Sequence, residues 1–178
     1  TLEATKSIFL VTNGQEPDMI QKLQDEDALP TQLYLSTNAA DYESFLKINK
    51  PKYDDSWERW NRTLDMLKHL DTRTVLRITL IRNYNDQKEM IPAFAEMFRK
   101  ASPHFIEIKS YMHIGRSTNR LEHENMLEMS EVKKFSEQIA KESKIFSIMD
   151  ESIVSRISIL QNNERFIDRY IPTYSNTN

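Results

Sequence analysis

The sequence predicts an α/β protein with mostly parallel strands and flanking helices, because short apolar runs alternate with helical segments along its 178 residues. Strands separated by helices of ten or more residues are typical of βα units, in which successive strands run parallel. Hydrophobic residues make up 39% of the chain, enough for one domain with its own core. The simplest division is one domain over residues 1–160 and a polar tail over residues 161–178.

The first half of the chain predicts two strands and two helical regions. Ser7–Val11 is an apolar run of strand-forming residues that ends at the turn sequence TNG. Pro17 suits the first turn of a helix, and Gln32–Ser36 is the next strand. Asp55 and Glu58 then resemble a capping box at the start of a second helix. Its apolar residues recur at helical spacing: Trp57, Trp60, Leu64 and Leu67.

The second half repeats the alternation. Thr74–Ile81 is the clearest strand, and a helix marked by Ile91, Phe94, Ala95 and Phe98 follows it and stops before Pro103. His104–Met112 is strand-like again. Ser130 can cap a further helix, and the apolar run Ile153–Leu160 could form a last strand.

Two of these strands carry polar residues with a period of two. Arg77 and Thr79 share one face of the third strand, while Glu107, Lys109 and Tyr111 share one face of the fourth. Charges on a buried strand are costly unless they pair or meet a polar ligand, and the interior of a barrel offers such a place. An edge strand with one solvated face, or an internal Lys–Glu pair with a structural role, explains the pattern equally well.

Other candidate residues lie where strands end. Ligands of α/β folds bind at the carboxyl ends of the strands, where Thr12, Asn13, Ser36 and Asn38 are expected. After the fourth strand, the segment HIGRS contains Gly115, which permits close backbone approach. Its next two residues, Arg116 and Ser117, could hold an anionic group. A surface loop with an exposed arginine is the plainer interpretation of that segment.

Composition and motif searches exclude several classes of site. The chain has no cysteine, its four histidines lack metal-ligand spacing, and it contains no glycine-rich phosphate loop. We therefore expect no metal site on this chain. No run approaches membrane-spanning length, so we expect a soluble, cytoplasmic protein without membrane contact. The net charge of −3 gives no support for nucleic-acid binding, although a local patch could still hold phosphate.

One basic cluster lies near aromatic residues, and it allows two interpretations. The cations are Lys47, Lys50, Lys52, Arg59 and Arg62, and the aromatic residues are Tyr53, Trp57 and Trp60. Such a set could contact RNA phosphates and stack on bases. Tryptophans at helical spacing are more often core residues beside solvated cations, and we favour that interpretation.

Several segments, taken in order, resemble the wybutosine-synthesising radical S-adenosylmethionine (SAM) enzymes, the 4-demethylwyosine synthases of archaea and eukaryotes. The segments are FLVTNG, PTQLYLSTNAADYESFLKINKP, WERWNRTLDMLKHLDTRTVLRITLIRNYN and FIEIKSYMHIGRS. The similarity runs from about Ser7 to about Leu160. It implies that residues 1–160 form the C-terminal half of a radical SAM barrel, a TIM-like partial (β/α) barrel.

The resemblance also implies an activity for the full-length protein. Members of the family bind a [4Fe–4S] cluster through a CxxxCxxC motif, with SAM at its open iron site. As radical SAM carbon–carbon lyases, they condense carbons from pyruvate onto N1-methylguanosine at position 37 of tRNA(Phe), in wybutosine biosynthesis. The present chain has no cysteine and so lacks the cluster ligands. Taken alone, it is expected to be inactive and to contain no catalytic residue.

Site residues follow from the same resemblance. The expected cofactor-binding residues are Thr12, Asn13, Ser36, Arg77 and Thr79. The expected substrate residues are Lys109, Arg116 and Ser117. The sequence departs from the family where Asn38 replaces a frequent Asp and Lys50 replaces the usual Arg, and the second change puts a SAM contact at that position in doubt.

Two other functions stay open. A cysteine-free half barrel could serve as a non-catalytic module that binds tRNA or a partner protein. The full-length protein could also be a radical SAM enzyme of the molybdenum-cofactor type, which shares the TNG strand end.

Overall fold

A computed structural model describes residues 5–171 of the chain. The helices within this range are α1 (Pro17–Asp25), α2 (Tyr42–Asn49), α3 (Ser56–Met66), α4 (Ile91–Ala101) and α5 (Met129–Ser143). The strands are β1 (Phe9–Thr12), β2 (Gln32–Ser36), β3 (Arg73–Leu80), β4 (Phe105–Ser110), β5 (Phe146–Ser152) and β6 (Ile157–Asn162). In this part of the chain no helix is long and apolar enough to cross a bilayer.

The strands form one sheet in the order β1-β2-β3-β4-β6-β5. Strands β1 to β4 pair in parallel, as predicted, so their carboxyl ends meet at one edge. Strand β6 runs antiparallel to both β4 and β5, and it therefore places β5 at the far edge of the sheet. The fold class predicted from the sequence, a mostly parallel sheet with flanking helices, is confirmed.

The end of the sheet differs from the prediction. The strand expected at Ile153–Leu160 starts only at Ile157, because Ile153 and Val154 lie in the exposed turn between β5 and β6. Strand β5 itself was missed. Its sequence FSIMDES ends in polar residues, as an edge strand with partly exposed side chains permits.

One face of the sheet packs against the helices and forms the core. The side chains that β2, β3 and β4 direct to this face include Leu33, Leu76 and Ile106, which are fully buried. Phenylalanines of α4 and α5 pack over them, for example Phe94 against Phe135 with ring centroids 6.0 Å apart. The period-two apolar positions of the strands therefore build the core.

The opposite face, called the open face below, carries the polar positions. Its residues are Gln32, Tyr34 and Ser36 of β2, Arg73, Val75, Arg77 and Thr79 of β3, and Phe105, Glu107 and Lys109 of β4. On β1 it presents Phe9 and Val11, which are 53% and 51% exposed. Alternate strand residues thus separate an apolar core from a face that mixes polar and apolar side chains.

The chain after β6 folds back to the amino-terminal end of the open face. Arg73 donates from Nη1 to the Asp168 carbonyl (2.6 Å) and from Nη2 to the Arg169 carbonyl (2.8 Å). The Gln161 side chain donates to the Ile167 carbonyl (2.8 Å). The polar tail predicted from residue 161 therefore begins inside β6, and its carbonyls at Ile167, Asp168 and Arg169 are hydrogen-bonded to the sheet. Residues 172–178 lie outside the described residues.

Candidate functional site

A cleft of about 500 Å³ lies at the carboxyl ends of β1 and β2. Its walls come from the turn after β1, the end of β2, and the segment that follows α2. The polar residues that line it are Asn13, Gln15, Ser36, Asn38 and Asn49, and the basic ones are Lys50, Lys52 and Arg120. A cleft of this size, with polar groups converging at strand ends, suits a small ligand.

The turn after β1 shapes one wall of the cleft. The Thr12 hydroxyl accepts a hydrogen bond from the Gly14 amide (3.0 Å), and Asn13 Oδ1 accepts one from the Gln15 amide (3.2 Å). Gly14 has a φ of +75°, a conformation that side chains rarely adopt. Of the two residues predicted from TNG, Asn13 lines the cleft, whereas Thr12 uses its hydroxyl to hold the turn.

Gln15 contributes an acceptor that has no partner. Its Nε2 donates to the Ser56 carbonyl (3.0 Å), which fixes the side chain against the start of α3. Its Oε1 is buried and has no hydrogen-bond partner among the described residues. A buried acceptor left unpaired costs about 1–3 kcal/mol. Gln15 also lines the cleft, and sequence reasoning missed the residue although it directly follows TNG.

Ser36 and Asn38 form the wall at the end of β2. Ser36 lines the cleft, and its main-chain carbonyl accepts a hydrogen bond from Trp60 Nε1 (3.2 Å). Asn38 Oδ1 accepts from the Thr79 amide (3.1 Å), so this oxygen ties β2 to β3. An aspartate at the same position offers an equivalent acceptor, and the change from Asp to Asn keeps this contact.

The basic wall consists of residues from distant parts of the sequence. Lys50 ends α2 in the left-handed conformation, with φ of 46°, and Lys52 and Arg120 lie nearby on the same cleft. Within residues 5–171, no carboxylate lies within 4.0 Å of these three cations. Arg120 was missed because nothing local in its sequence connects it with β1 or β2.

The predicted basic–aromatic cluster is divided in the fold. Arg59 pairs with Asp55 and Glu16, and Arg62 pairs with Asp18. Trp60 is 2% exposed and packs in the core, as the favoured interpretation predicted. Only part of the cluster, namely Lys50, Lys52 and Tyr53, lines the cleft.

The open face brings together Arg77, Thr79 and Lys109. Arg77 Nε donates to Glu107 Oε1 (2.7 Å), and the guanidinium lies 4.4 Å from the centre of the Tyr34 ring. Thr79 and Lys109 are partners in the register of β3 and β4, directly beyond this ion pair. Burial, followed by the nearby Glu107 carboxylate, raises the pKa of the Tyr34 phenol above its ordinary value.

Three residues singled out in the sequence lie after the end of β4, and each has different surroundings. Arg116 is exposed in the turn Gly115–Asn119, and Ser117 donates its hydroxyl hydrogen bond to the Ile114 carbonyl (2.7 Å). Tyr111 was expected to share a face with Lys109, but it lies beyond the end of β4. Its side chain is 5% exposed and packs with Ile81 and Leu121 instead.

Comparisons with known proteins show which family the chain resembles. Residues 100–162 match the family described as wyosine base formation. The chain is 42% identical over 162 residues to the S-adenosyl-L-methionine-dependent tRNA 4-demethylwyosine synthase of Methanocaldococcus jannaschii, covering 90% of this chain and 48% of that protein. The synthase of the same name from Pyrococcus abyssi is 38% identical over 156 residues, covering 88% of this chain and 45% of the relative.

Solved structures show the same relationship. A structure of TYW1 with a lysine-pyruvate adduct bound superposes with a TM-score of 0.77 at 41% identity, over 89% of this chain and 48% of that one. A crystal structure of archaeal TYW1 gives a TM-score of 0.70 at 36% identity. The chain therefore spans about half the length of these relatives.

Proposed function

Because the chain belongs to the tRNA 4-demethylwyosine synthase family, we propose that it forms the part of such a synthase that holds S-adenosylmethionine in the cleft at the carboxyl ends of β1 and β2. The enzyme would act in wybutosine biosynthesis as a radical SAM carbon–carbon lyase. The observation that carries the proposal is the convergence of Asn13, Gln15 and Ser36 on one cleft at the carboxyl ends of β1 and β2.

The residues of the cleft fit the chemistry of S-adenosylmethionine. Its ribose hydroxyls and its amino group suit an amide side chain such as that of Gln15, and its carboxylate suits a wall that contains cations without a carboxylate partner. Asn13 and Ser36 offer further polar contacts. Lys50 supplies charge without the two-point geometry of an arginine, so its contact with a carboxylate would be a single one.

We assign different roles to the other predicted cofactor residues. Thr12 acts through the turn that places Asn13, since its hydroxyl already accepts the Gly14 amide. Thr79 acts through its main-chain amide, which holds Asn38 at the cleft. Arg77 lies on the open face beside the cleft, where it pairs with Glu107.

The iron–sulfur cluster does not fit on this chain. Clusters of this kind are held by cysteine thiolates, and the sequence has no cysteine. Bound S-adenosylmethionine supplies radical chemistry in this family, and the cluster ligands for that chemistry would have to come from outside these residues. The role of this chain is then to bind and orient the cofactor and the substrates.

We further propose pyruvate and N1-methylguanosine-37 of tRNA(Phe) as the substrates of the complete enzyme. A relative's structure carries a lysine-pyruvate adduct, and the relatives are named tRNA 4-demethylwyosine synthases. We assign Lys109 on the open face to a small anionic substrate, and Arg116 and Ser117, in the short helical segment beyond β4, to the same substrate side. For the exposed Arg116 we propose contact with an RNA phosphate, since arginine side chains commonly bind phosphate oxygens.

A binding experiment on the chain tests the cofactor site. Isothermal titration with S-adenosylmethionine is expected to show binding that weakens about tenfold in Asn13→Ala and in Ser36→Ala, since each loses a polar contact with a charged or polar ligand. The matched control is Ser130→Ala, an exposed serine on α5 that does not line the cleft. Equal affinity in all four proteins would contradict the assignment of the cleft.

A second experiment tests the reaction. The complete protein, reconstituted with iron and sulfide, is expected to cleave S-adenosylmethionine and to form the tricyclic base on methylated tRNA in the presence of pyruvate. Absence of both products would contradict the proposed activity.

A further inference from the structure

Three charged residues adjoin one another on the open face. Arg77 of β3 and Glu107 of β4 are register partners, and Lys109 follows Glu107 on the same face of β4. Their charges do not cancel, because two cations share a single carboxylate. If one cation pairs with the Glu107 carboxylate, the other cation remains available to a ligand.

Lys109 is within reach of Glu107. Residues two apart on a strand lie about 6.6 Å from each other on the same face, a distance that a lysine and a glutamate side chain can span. The cross-strand neighbours of Lys109 offer no charge, since they are Thr79 on β3 and Ile157 on β6. Glu107 is therefore the nearest competitor for the Lys109 ammonium on this face.

In the structure the Glu107 carboxylate pairs with Arg77. Its Nε lies 2.7 Å from Glu107 Oε1 and its Nη2 lies 3.4 Å from Oε2, so both oxygens face the guanidinium. The guanidinium is fixed from its other side by the Tyr34 ring, whose hydroxyl is 2.6 Å from Gln32 Nε2. A planar guanidinium stacked on an aromatic ring is a better partner for a carboxylate than a flexible ammonium group.

Lys109 is left without a carboxylate partner. Among the described residues no Asp or Glu oxygen lies within 4.0 Å of its ammonium, although its side chain is partly buried. A partly buried cation is stabilised by a ligand of opposite charge. Thr79, directly opposite in the register, adds a hydroxyl beside it.

We propose that Arg77 is a positioning residue that holds the Glu107 carboxylate away from Lys109, so that the Lys109 ammonium is free to bind an oxyanion of a small ligand. This inference rests on the proposed function and deepens it, since it names the chemical class that the substrate side of the site takes. The oxyanion is a carboxylate, as in a small keto acid, or a phosphate group.

Anion binding to the chain, measured without S-adenosylmethionine, tests the proposal. Sodium pyruvate and inorganic phosphate are the two probes, and the amide signals of Thr79 and Lys109 report binding by nuclear magnetic resonance. Lys109→Met is expected to weaken the binding of the preferred probe about tenfold, the value of a hydrogen bond to a charged group. Lys141→Met, which removes an exposed lysine from α5, is the matched control and is expected to bind like the wild type.

The decisive comparison is between Arg77→Gln and the double variant Arg77→Gln/Glu107→Gln. The single variant frees Glu107 to neutralise Lys109, so its anion affinity is expected to fall about as far as in Lys109→Met. The double variant removes the competitor as well, and its affinity is expected to return to within about twofold of the wild type. A purely structural role for the ion pair would not restore anion affinity in the double variant.

Two results would overturn the proposal. One is a double variant that folds and still binds as weakly as Lys109→Met, which would make Arg77 itself the anion ligand. The other is a Lys109→Met chain that binds both probes like the wild type. The double variant removes both charges of the ion pair and leaves neither partner behind unpaired, so the test holds even where Arg77→Gln alone does not fold. A failure to bind S-adenosylmethionine leaves these measurements unaffected, because the cofactor is absent from them.

Discussion

The backbone of Gly14 lies against the indole ring of Trp60, and this contact sets how closely the first turn approaches α3. A β-carbon added at Gly14 would lie 3.1 Å from Trp60 Cδ1 and 2.7 Å from Leu35 Cδ1, and the residue has a φ of +75°. The Gly14 carbonyl also accepts a hydrogen bond from the Thr63 hydroxyl (2.8 Å). The turn that carries Asn13 is thus packed directly on the core.

We expect Gly14→Ala to lower the free energy of unfolding by about 2–4 kcal/mol, from left-handed strain and overpacking together. Urea unfolding measures this change. Gly115→Ala is the matched control, since Gly115 has a φ of +62° but no atom within 4 Å of an added β-carbon. It should cost only the backbone strain, about 1 kcal/mol. Equal losses in the two variants would contradict the close packing at Gly14.

The environment of His104 indicates that the free energy of unfolding depends on pH. Its Nδ1 lies 3.1 Å from the Thr74 amide nitrogen and accepts that hydrogen bond only when unprotonated. Burial, and then Arg165 and Arg73, lower the pKa of His104 to about 4. The unfolded chain, with the ordinary value near 6.5, binds the proton first as the pH falls, so stability decreases from about pH 6.5 down to about pH 4.

The measurement is the free energy of unfolding in urea between pH 4 and pH 7.5. The imidazole is only partly buried, so we expect its contribution to the loss to be about 1–2 kcal/mol. In His104→Asn this part of the dependence of the free energy of unfolding on pH should disappear. His69→Asn, at an exposed position, is the control and should keep the wild-type slope. An unchanged slope in His104→Asn would contradict the assignment.

Arg82 connects the end of β3 with the start of α5. We expect a lysine at this position to make the protein less stable than the arginine does. Its guanidinium binds both oxygens of Glu131 (2.5 and 2.6 Å) and donates to the Met126 carbonyl (2.9 Å). Lysine cannot form the two-point contact. Because both partners are about one third exposed, we expect Arg82→Lys to cost only about 1 kcal/mol in urea unfolding. Arg62→Lys, in a largely exposed pair with Asp18, should change the stability by less than about 0.5 kcal/mol.

The hydrogen bonds of Arg73 are expected to protect the segment after β6 from cleavage by trypsin. Two guanidinium hydrogen bonds hold the Asp168 and Arg169 carbonyls at the amino-terminal end of the open face. Without them the segment opens more often, and trypsin should cleave after Arg169 about tenfold faster in Arg73→Met than in the wild type. Arg62→Met is the control for a lost surface arginine. Equal cleavage rates would show that other contacts hold the segment.

Much of the fold followed from local patterns. The parallel strands β1 to β4 were predicted because apolar runs such as Thr74–Ile81 alternate with helical stripes, and each pattern is contained in a few residues. The antiparallel pair β5 and β6 was predicted incompletely. Its edge strand ends in polar residues and its turn carries Ile153 and Val154, so local hydrophobicity there misplaces the strand.

The candidate site was predicted only where strand ends mark it. Asn13 and Ser36 could be found because they follow apolar strands in the sequence. Arg120 and Gln15 could not, since their places in the cleft depend on how a distant loop and the start of α3 pack. These contacts join residues far apart in the chain, and no local pattern contains them.

The sequence by itself determined the βα alternation and placed Arg77, Glu107 and Lys109 on one face of their strands, because side-chain direction in a strand depends only on position. It left open whether Glu107 pairs with Lys109. The tertiary structure decided that Arg77 takes the carboxylate, because the register of β3 against β4 puts these two residues side by side. Register is a relation between two strands, and it is fixed only when the sheet assembles.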